Sequence, residues 1–478
     1  MNYLMIKFVL GWILLFEAAF LLIPIGTALV YAEQTSIIAF AITLAICAVV
    51  GGLLAIKKPK KTDLSSRDGF VIVAFSWIVM SIFGAIPFML TGVTDSFIDA
   101  LFETVSGFTT TGATIFSDVE ILPKAIIMWR SFTHWIGGMG VLVFIMAFLP
   151  LSGARNMYIM KAESPGPEVS KLVPKVRTTA KWLYSVYLVL TVAQIVLLCF
   201  GDMTPFEALN ASFATAGTGG FGWKNDSMAS FSTYSQIVVA VFMLLFSINF
   251  GSYFMLIRRN FKGSLTTEVK VFLSFVAISV ISIAINIRGM FGSFGEAFKH
   301  SLFNFSSVIS TTGFATADFD MWPSFARTVL VLAMFMGACA GSTGGGIKVS
   351  RIVIMFKVMC RELSTALRPR QVKKVTVDGQ VQDKDVVRSV YGYIFCFIAV
   401  FIVSVVLVSF DGKDLVTNFT SVVATIGNIG PGLAGVGPTM NYGSFSVLSK
   451  FVLIFDMLVG RLEFYPILIL LVPSTWRK

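Results

Sequence analysis

Apolar residues in this chain come in long unbroken runs rather than in the alternating or three-to-four-spaced patterns of soluble strands and helices. The runs lie near 4–31, 36–56, 69–93, 129–150, 178–200, 233–257, 267–288, 325–359, 389–410 and 445–472. A bilayer core of roughly 30 Å needs about 20 apolar residues per helix, so the pattern predicts about ten membrane-spanning helices. The first run, Tyr3 to Tyr31, is too long for a signal peptide, has no small-residue cleavage site and is followed at once by another run, which predicts a retained helix. Four further apolar stretches, Phe97 to Phe108, Pro205 to Ala214, Ala297 to Ile309 and Leu415 to Val423, are too short to cross and read as re-entrant helices.

Lysine and arginine collect in alternate connections: Lys57, Lys58, Lys60, Lys61 and Arg67; Arg155, Lys161, Lys171, Lys175 and Arg177; Arg258, Arg259 and Lys262; and Arg361, Arg368, Arg370, Lys373 and Lys374. The positive-inside rule puts these in the cytoplasm, and both termini with them. The intervening connections carry Asp95, Asp99, Asp118, Glu120, Asp202, Asp226, Asp318, Asp320, Asp411 and Asp414 and face outward.

Composition agrees. Hydrophobic residues make up 56% and charged residues only 13%, so the lipid bilayer, not water, is the main solvent. The net charge of +11 belongs to short connections rather than to one soluble face, which argues against nucleic acid as a partner. Five scattered cysteines fit neither a disulfide framework nor a metal cluster, and the two histidines, His134 and His300, have no ligand-spaced neighbours and read as packing or capping residues.

Each short apolar stretch ends in a similar phrase: Thr110-Thr111-Gly112-Ala113, Thr215-Ala216-Gly217-Thr218, Thr311-Thr312-Gly313-Phe314 and Thr425-Ile426-Gly427-Asn428. Nine residues before the glycine stand Glu103, Asn304 and Asn418, with Ala208 the exception, and four before it always an apolar residue. One Thr-x-Gly is a trivial match; four between spans on one side of the membrane form an internal repeat. The repeat divides the chain into a two-helix extension (1–68) and units at 69–177, 178–266, 267–388 and 389–478.

Such a repeat can conduct a cation. Main-chain carbonyls replace a hydration shell without adding full charges, and non-helical backbone at membrane depth is tolerated where it lines a cavity. Glycine lets such strands approach closely and adopt positive φ, and the C-terminal end of each short helix contributes partial negative charge. Asparagines in Asn-x-Ser/Thr at Asn210, Asn304 and Asn418 fall inside the short helices, where glycosylation is discounted.

Two further features stand out, a broken span and a buried charge, which close packing of small residues and an ion pair across helices could also explain. Gly337 to Gly346 interrupts a run too long for one crossing, and its glycines cannot hold a helix. It is not a phosphate-binding loop, because Ile347 follows Gly346 where Lys-Ser or Lys-Thr is required. Arg461 sits deep in the last run, where a charge is expensive, and neither Asp456 nor Glu463 is placed on its own helix to pair with it. Lys348 near the cytoplasmic end either acts likewise or snorkels.

The four phrases resemble the superfamily of Trk, Ktr and HKT potassium and sodium transporters, and within it the bacterial TrkH type. Further carriers of the resemblance are His134-Trp135-Ile136-Gly137-Gly138-Met139-Gly140, Gly341-Ser342-Thr343-Gly344-Gly345-Gly346-Ile347-Lys348, Met457-Leu458-Val459-Gly460-Arg461-Leu462-Glu463, and two spans ahead of the first unit. The resemblance implies an all-α integral membrane fold with four pseudo-fourfold M1-P-M2 repeats around one pore. It makes the four phrases a selectivity filter, and four glycines there imply potassium. It makes Gly341, Gly344, Gly345, Gly346 and Lys348 part of an intramembrane gate loop, and Arg461 a positive barrier below the filter. It also implies a bacterial plasma-membrane location, a homodimer and a TrkA-type cytosolic nucleotide-binding subunit.

The favoured function is potential-driven potassium uptake, with potassium as substrate and no organic cofactor. A proton- or sodium-coupled symporter is the alternative, disfavoured by parallel repeats and few buried carboxylates. A membrane enzyme lacks clustered carboxylates or metal ligands with which to do chemistry.

Overall fold

A computed structural model describes residues 1–59, 65–140, 176–370 and 374–477. The second half of the expected span at 129–150, and Lys60, Lys61, Arg155, Lys161, Lys171, Lys175 and Lys373, lie outside the described residues.

The chain is mostly helical. It opens with α1 (Tyr3–Phe20) running into α2 (Leu22–Val30), followed by α3 (Gln34–Ala55). α1 and α3 meet through glycines: a Cβ on Gly11 would lie 2.7 Å from the Gly51 carbonyl oxygen, and one on Gly51 2.8 Å from that of Gly11. Small residues allow this backbone approach, on which helix association in lipid depends. α4 (Ser66–Gly84) starts at a capping box between Ser65 and Asp68, and the Asn2 N–H donates to Asp68 at 3.2 Å, tying the N-terminus to it.

From α4 onward one order of elements recurs. Long helices α4 (extended by α5, Ile86–Leu90), α8 (Val176–Cys199), α13 (Thr267–Ile287) and α17 (Lys384–Val408) are followed by short ones: α6 (Phe97–Phe108), α9 (Pro205–Gly217), α14 (Phe294–Ile309) and α18 (Leu415–Ile426). The short helices begin where the side chains of Ser96, Thr204, Ser293 and Asp414 accept a main-chain N–H of the first turn. A turn then leads to α7 (Lys124–Gly138), α10 (Thr233–Ser247), α15 (Ser324–Met336) or α19 (Val447–Arg461). α7 begins after Pro123 without a cap of its own; Glu33, before α3, accepts from the N–H groups of Lys124 and Ala125 at 2.6 and 3.2 Å.

Three helices of this last set are interrupted. α10 meets α11 (Phe250–Ile257) at 91°, across Ile248 and Asn249. α15 stops at Gly337, and α16 (Val349–Leu367) resumes after the glycine loop. The run at 445–472, expected to be one span, is also broken. Glu463 and Phe464 take positive φ (54° and 71°) after Arg461, and α20 (Tyr465–Leu471) starts anew with Pro466 in its first turn. Beyond α16, a two-stranded hairpin (β1, Thr376–Val377; β2, Gln380–Val381) precedes α17, and its Asp378 accepts from the Thr267 N–H at 2.7 Å. α12 (Phe261–Ser264) joins α11 to α13.

Six described helical segments are long and apolar enough to cross a membrane, seven if the bent pair is one span. Their outer faces expose residues such as Leu53, Ile278, Ile285, Phe395, Ile402 and Val406, as lipid contact requires. The chain is a multi-pass membrane protein. At one end, Asp202 accepts from Ser232 and Ser235 at the start of α10, and Asp411 accepts from Ser446 at the start of α19. Partial burial alone would raise the Asp202 carboxyl, but these hydrogen bonds hold it down at about 2.

Candidate functional site

The short helices α6, α9, α14 and α18 end in four loops with one hydrogen-bond pattern. A left-handed residue, Thr110, Thr218, Thr311 or Asn428 (φ 56°, 57°, 61° and 54°), donates its N–H three residues back. The next residue, Thr111, Gly219, Thr312 or Ile429, donates five residues back, at 2.8 to 2.9 Å. The glycine that follows takes positive φ in each: Gly112 (77°), Gly220 (74°), Gly313 (88°) and Gly430 (93°).

This register agrees with expectation in loops 1 and 3 and departs from it by three residues in loops 2 and 4. Thr110, Thr111, Gly112 and Ala113, and Thr311, Thr312, Gly313 and Phe314, stand where the sequence put them. Thr215, Ala216 and Gly217 are still in the last turn of α9, and the Thr215 hydroxyl donates back to the Ala211 carbonyl at 2.7 Å. Thr425 and Ile426 close α18, and Gly427 caps it in helical conformation (φ −80°). The expected last members, Thr218 and Asn428, become the first residues of the turn, and Gly219, Gly220 and Phe221, and Ile429, Gly430 and Pro431, complete it. The dipeptide shared by Gly220-Phe221 and Gly313-Phe314 is the signal that could have aligned loop 2.

The four glycines stand in a closed ring. A Cβ on Gly112 would lie 1.7 Å from the Gly219 carbonyl oxygen, and one on Gly220 1.9 Å from that of Thr312. One on Gly313 would lie 2.3 Å from the Ile429 oxygen, and one on Gly430 2.7 Å from that of Thr111, which returns to the first loop. No side chain fits at any of these contacts. Above the ring is a cavity of about 150 Å³, lined in part by all four glycines, Tyr442 and Asn441.

Side chains behind the loops tie them to the helices. The Glu103 carboxylate accepts from the Ile115 N–H (3.0 Å), the Thr114 hydroxyl (3.1 Å) and Arg130 Nε (2.7 Å), a buried ion pair. Asn304 does the same work in loop 3, accepting from the Thr316 N–H at 3.3 Å. In loop 4 the partner is Thr420, whose hydroxyl accepts from the Leu433 N–H at 3.0 Å, while Asn418 instead donates to the Lys413 carbonyl. Asn428 joins loop 4 to loop 1 and to α19, donating to the Thr111 hydroxyl and the Met457 carbonyl, both at 3.0 Å. The clustered glycines after His134 serve close packing: a Cβ on Gly137 would lie 1.8 Å from the Phe108 oxygen, and one on Gly138 2.7 Å from Gly217 Cα.

The glycine loop between α15 and α16 presses against the ring from the other side. A Cβ on Gly344 would lie 2.9 Å from the Ser310 oxygen, and one on Gly345 2.3 Å from the Gly427 oxygen. The Gly345 N–H donates to the Thr311 hydroxyl at 2.7 Å. Gly341 accepts from the Phe250 N–H at 3.0 Å, Lys348 Nζ donates to the Gly344 carbonyl, and Gly346 takes positive φ (77°) against Gly337. Arg461 reaches into the same place, donating to the carbonyls of Thr343 (2.8 Å), Gly137 (2.5 Å) and Gly138 (2.8 Å). Glu463 pairs with the buried Arg351 of α16 at 2.5 Å. Glu268, at the start of α13, was not singled out from sequence; its Oε1 accepts from the N–H groups of Ala340 (2.6 Å) and Ser350 (3.0 Å), holding both ends of the loop. No group of three or more histidine, cysteine or acidic residues able to hold a metal occurs among the described residues.

A family model described as TrkH, cation transport protein, matches residues 36–478. The chain is 35% identical to the Trk system potassium uptake protein TrkH of Escherichia coli strain K12, with 100% of both chains covered. It is equally similar to the TrkH of Vibrio parahaemolyticus, with 98% of each covered. The crystal structure of the potassium transporter TrkH from Vibrio parahaemolyticus superposes with a TM-score of 0.89 at 33% identity, over 100% of both chains. These relatives are transporters, not enzymes.

Proposed function

The chain belongs to the TrkH family of cation transport proteins, and on that premise we propose that it takes potassium into the cell through one pore, driven by the membrane potential. The observation that carries the reading is the closed ring of Gly112, Gly220, Gly313 and Gly430, in which loops from four parts of the chain meet without room for a side chain.

In this reading the recurring elements are four M1-P-M2 units in pseudo-fourfold arrangement after a two-helix extension, with divisions near 68, 177, 266 and 388. The selectivity filter is formed by residues 110–113, 218–221, 311–314 and 428–431, whose carbonyls replace the water around a dehydrated ion. Thr215, Ala216, Gly217, Thr425, Ile426 and Gly427 lie in the helix ends behind it and contribute the partial negative charge of those ends. Gly341 to Lys348 is the gate: it lies against the ring opposite the cavity, and Arg461 holds it closed while adding a positive barrier. The protein resides in the bacterial inner membrane with both termini in the cytoplasm, dimerises, and is regulated by a TrkA-type cytosolic subunit within a Trk system.

The symporter reading draws on two buried carboxyl groups. Neither oxygen of Glu17 has a hydrogen-bond partner among the described residues, and Asp456 uses only one, accepting from Ser404 at 2.6 Å. Reversal potentials in proteoliposomes under opposed potassium and proton gradients decide. The pore reading expects the potential to follow the potassium gradient at every pH. A shift with the proton gradient overturns it in favour of coupling.

A further inference from the structure

Two side chains one turn apart on α7 reach across to the second loop. Arg130 Nη1 donates to the Gly222 carbonyl at 3.0 Å, and its guanidinium lies 4.1 Å from the centre of the Phe221 ring. His134 is fully buried, with its ring 4.3 Å from that of Phe221. Its Nε2 is 3.2 Å from the Phe221 main-chain nitrogen and its Nδ1 is 2.8 Å from the Gly107 carbonyl oxygen.

These partners fix the tautomer. The Phe221 N–H can only donate, so Nε2 is the acceptor; the Gly107 oxygen can only accept, so Nδ1 carries the proton. His134 is therefore neutral and bridges the short helix of the first unit to the loop of the second. The loop packs directly on the ring, since a Cβ on Gly219 would lie 2.3 Å from His134 Nδ1.

The anchored N–H shares its peptide plane with the carbonyl of Gly220. In a trans peptide the N–H and C=O point in opposite directions, so a bond that draws the Phe221 N–H toward α7 turns the Gly220 carbonyl away from α7. In loop 4 the corresponding peptide ends in Pro431, which has no N–H to anchor and whose ring fixes φ instead.

We infer that His134 is a positioning residue for ion discrimination: by accepting the Phe221 N–H it aims the Gly220 carbonyl at the ring's shared passage, while Arg130 holds the loop farther along, at the Gly222 carbonyl. The inference rests on the pore reading above.

The test compares His134→Phe, which keeps a ring against Phe221 but makes neither hydrogen bond, with His134→Gln, whose amide can accept from Phe221 and donate to Gly107. In proteoliposomes carrying equal amounts of protein, rubidium tracer uptake is measured with sodium as competitor. Losing a hydrogen bond in a dry site is expected to weaken preference for rubidium over sodium about tenfold in His134→Phe, with partial recovery in His134→Gln. An unchanged preference in His134→Phe, or equal loss in both variants, overturns the inference. A measurement on the unaltered protein guards against misfolding of the variants. With only two histidines in the chain, the ¹⁵N spectrum of the imidazoles resolves His134 once His300→Gln identifies the other. A neutral ring protonated on Nδ1 is expected, and an Nε2–H tautomer or an imidazolium overturns the assignment. If the unaltered protein itself takes up no rubidium or does not prefer it to sodium, the pore reading fails instead, whatever the tautomer.

Discussion

Gly430→Ala and Gly427→Ala, three residues apart in one loop, separate the ring position from the helix end. Gly430 has φ 93°, and an added Cβ would lie 2.7 Å from the Thr111 carbonyl oxygen and 3.0 Å from the Gly112 carbonyl carbon. Both neighbours are main chain of the adjoining loop. The left-handed conformation costs an L-residue about 1–2 kcal/mol, and the overlap must be relieved by moving loop 1 or loop 4. If that cost falls on the ion-bound ring, it lowers apparent potassium affinity about 5- to 30-fold. Gly427 has helical φ (−80°), and its Cβ would meet the far end of the Ile429 side chain at 2.9 Å, which can turn aside, and the Val423 oxygen at 2.9 Å, a shift confined to the last turn of its own helix rather than to a neighbouring loop. Concentration-dependent rubidium uptake with sodium competition, in cells lacking other potassium uptake, reads both variants. Gly430→Ala is expected to raise the half-saturating concentration and admit sodium, with Gly427→Ala close to the parent. The opposite ranking, or equal effects, refutes the register read from the backbone.

Arg461→Ala removes the three hydrogen bonds from the glycine loop and the last turn of α7, and deletion of 341–346 removes the obstruction; each is expected to raise basal flux severalfold in patch or liposome recordings, and a fall in flux from correctly inserted protein contradicts the gate. Glu268→Gln keeps the shape but weakens acceptance from Ala340 and Ser350, so open probability is expected to rise; an unchanged value would reduce Glu268 to packing. Asp202→Asn is expected to lower the thermal midpoint at pH 7. Because the folded pKa, about 2, lies below the ordinary carboxylate value of about 3.9, the parent's advantage is complete above that value and is lost as pH falls through about 2; a difference that does not vary with pH contradicts the charge-based account.

Much of this architecture was legible because lipid imposes it. Backbone groups must be satisfied within helices of spanning length, so the long apolar runs marked α1 to α4, α8, α13 and α17 closely, and the short ones marked α6, α9, α14 and α18. The register of loops 2 and 4 was not legible from Thr-x-Gly, because nothing in Thr215-Ala216-Gly217 forbids one more helical turn. What ends α9 is the left-handed Thr218 before Gly219-Gly220. The break after Arg461 had one local sign, Pro466 inside the apolar run, which was passed over. Leu462, Glu463 and Phe464 contain neither glycine nor proline, and the bend there is held by a distant pair, Glu463 with Arg351, whose meeting the sequence does not show. Arg461 satisfies itself on main-chain carbonyls, and His134, read as a packing residue, carries two hydrogen bonds whose partners come together only in the folded chain.

The most direct test of the central claim is to locate the ion. Crystals or frozen grids of the protein in rubidium or thallium should show anomalous or difference density on the passage bounded by Gly112, Gly220, Gly313 and Gly430, and none when sodium alone is supplied. Density placed away from those four glycines, or equal occupancy by sodium, would contradict a potassium-selecting ring at that position.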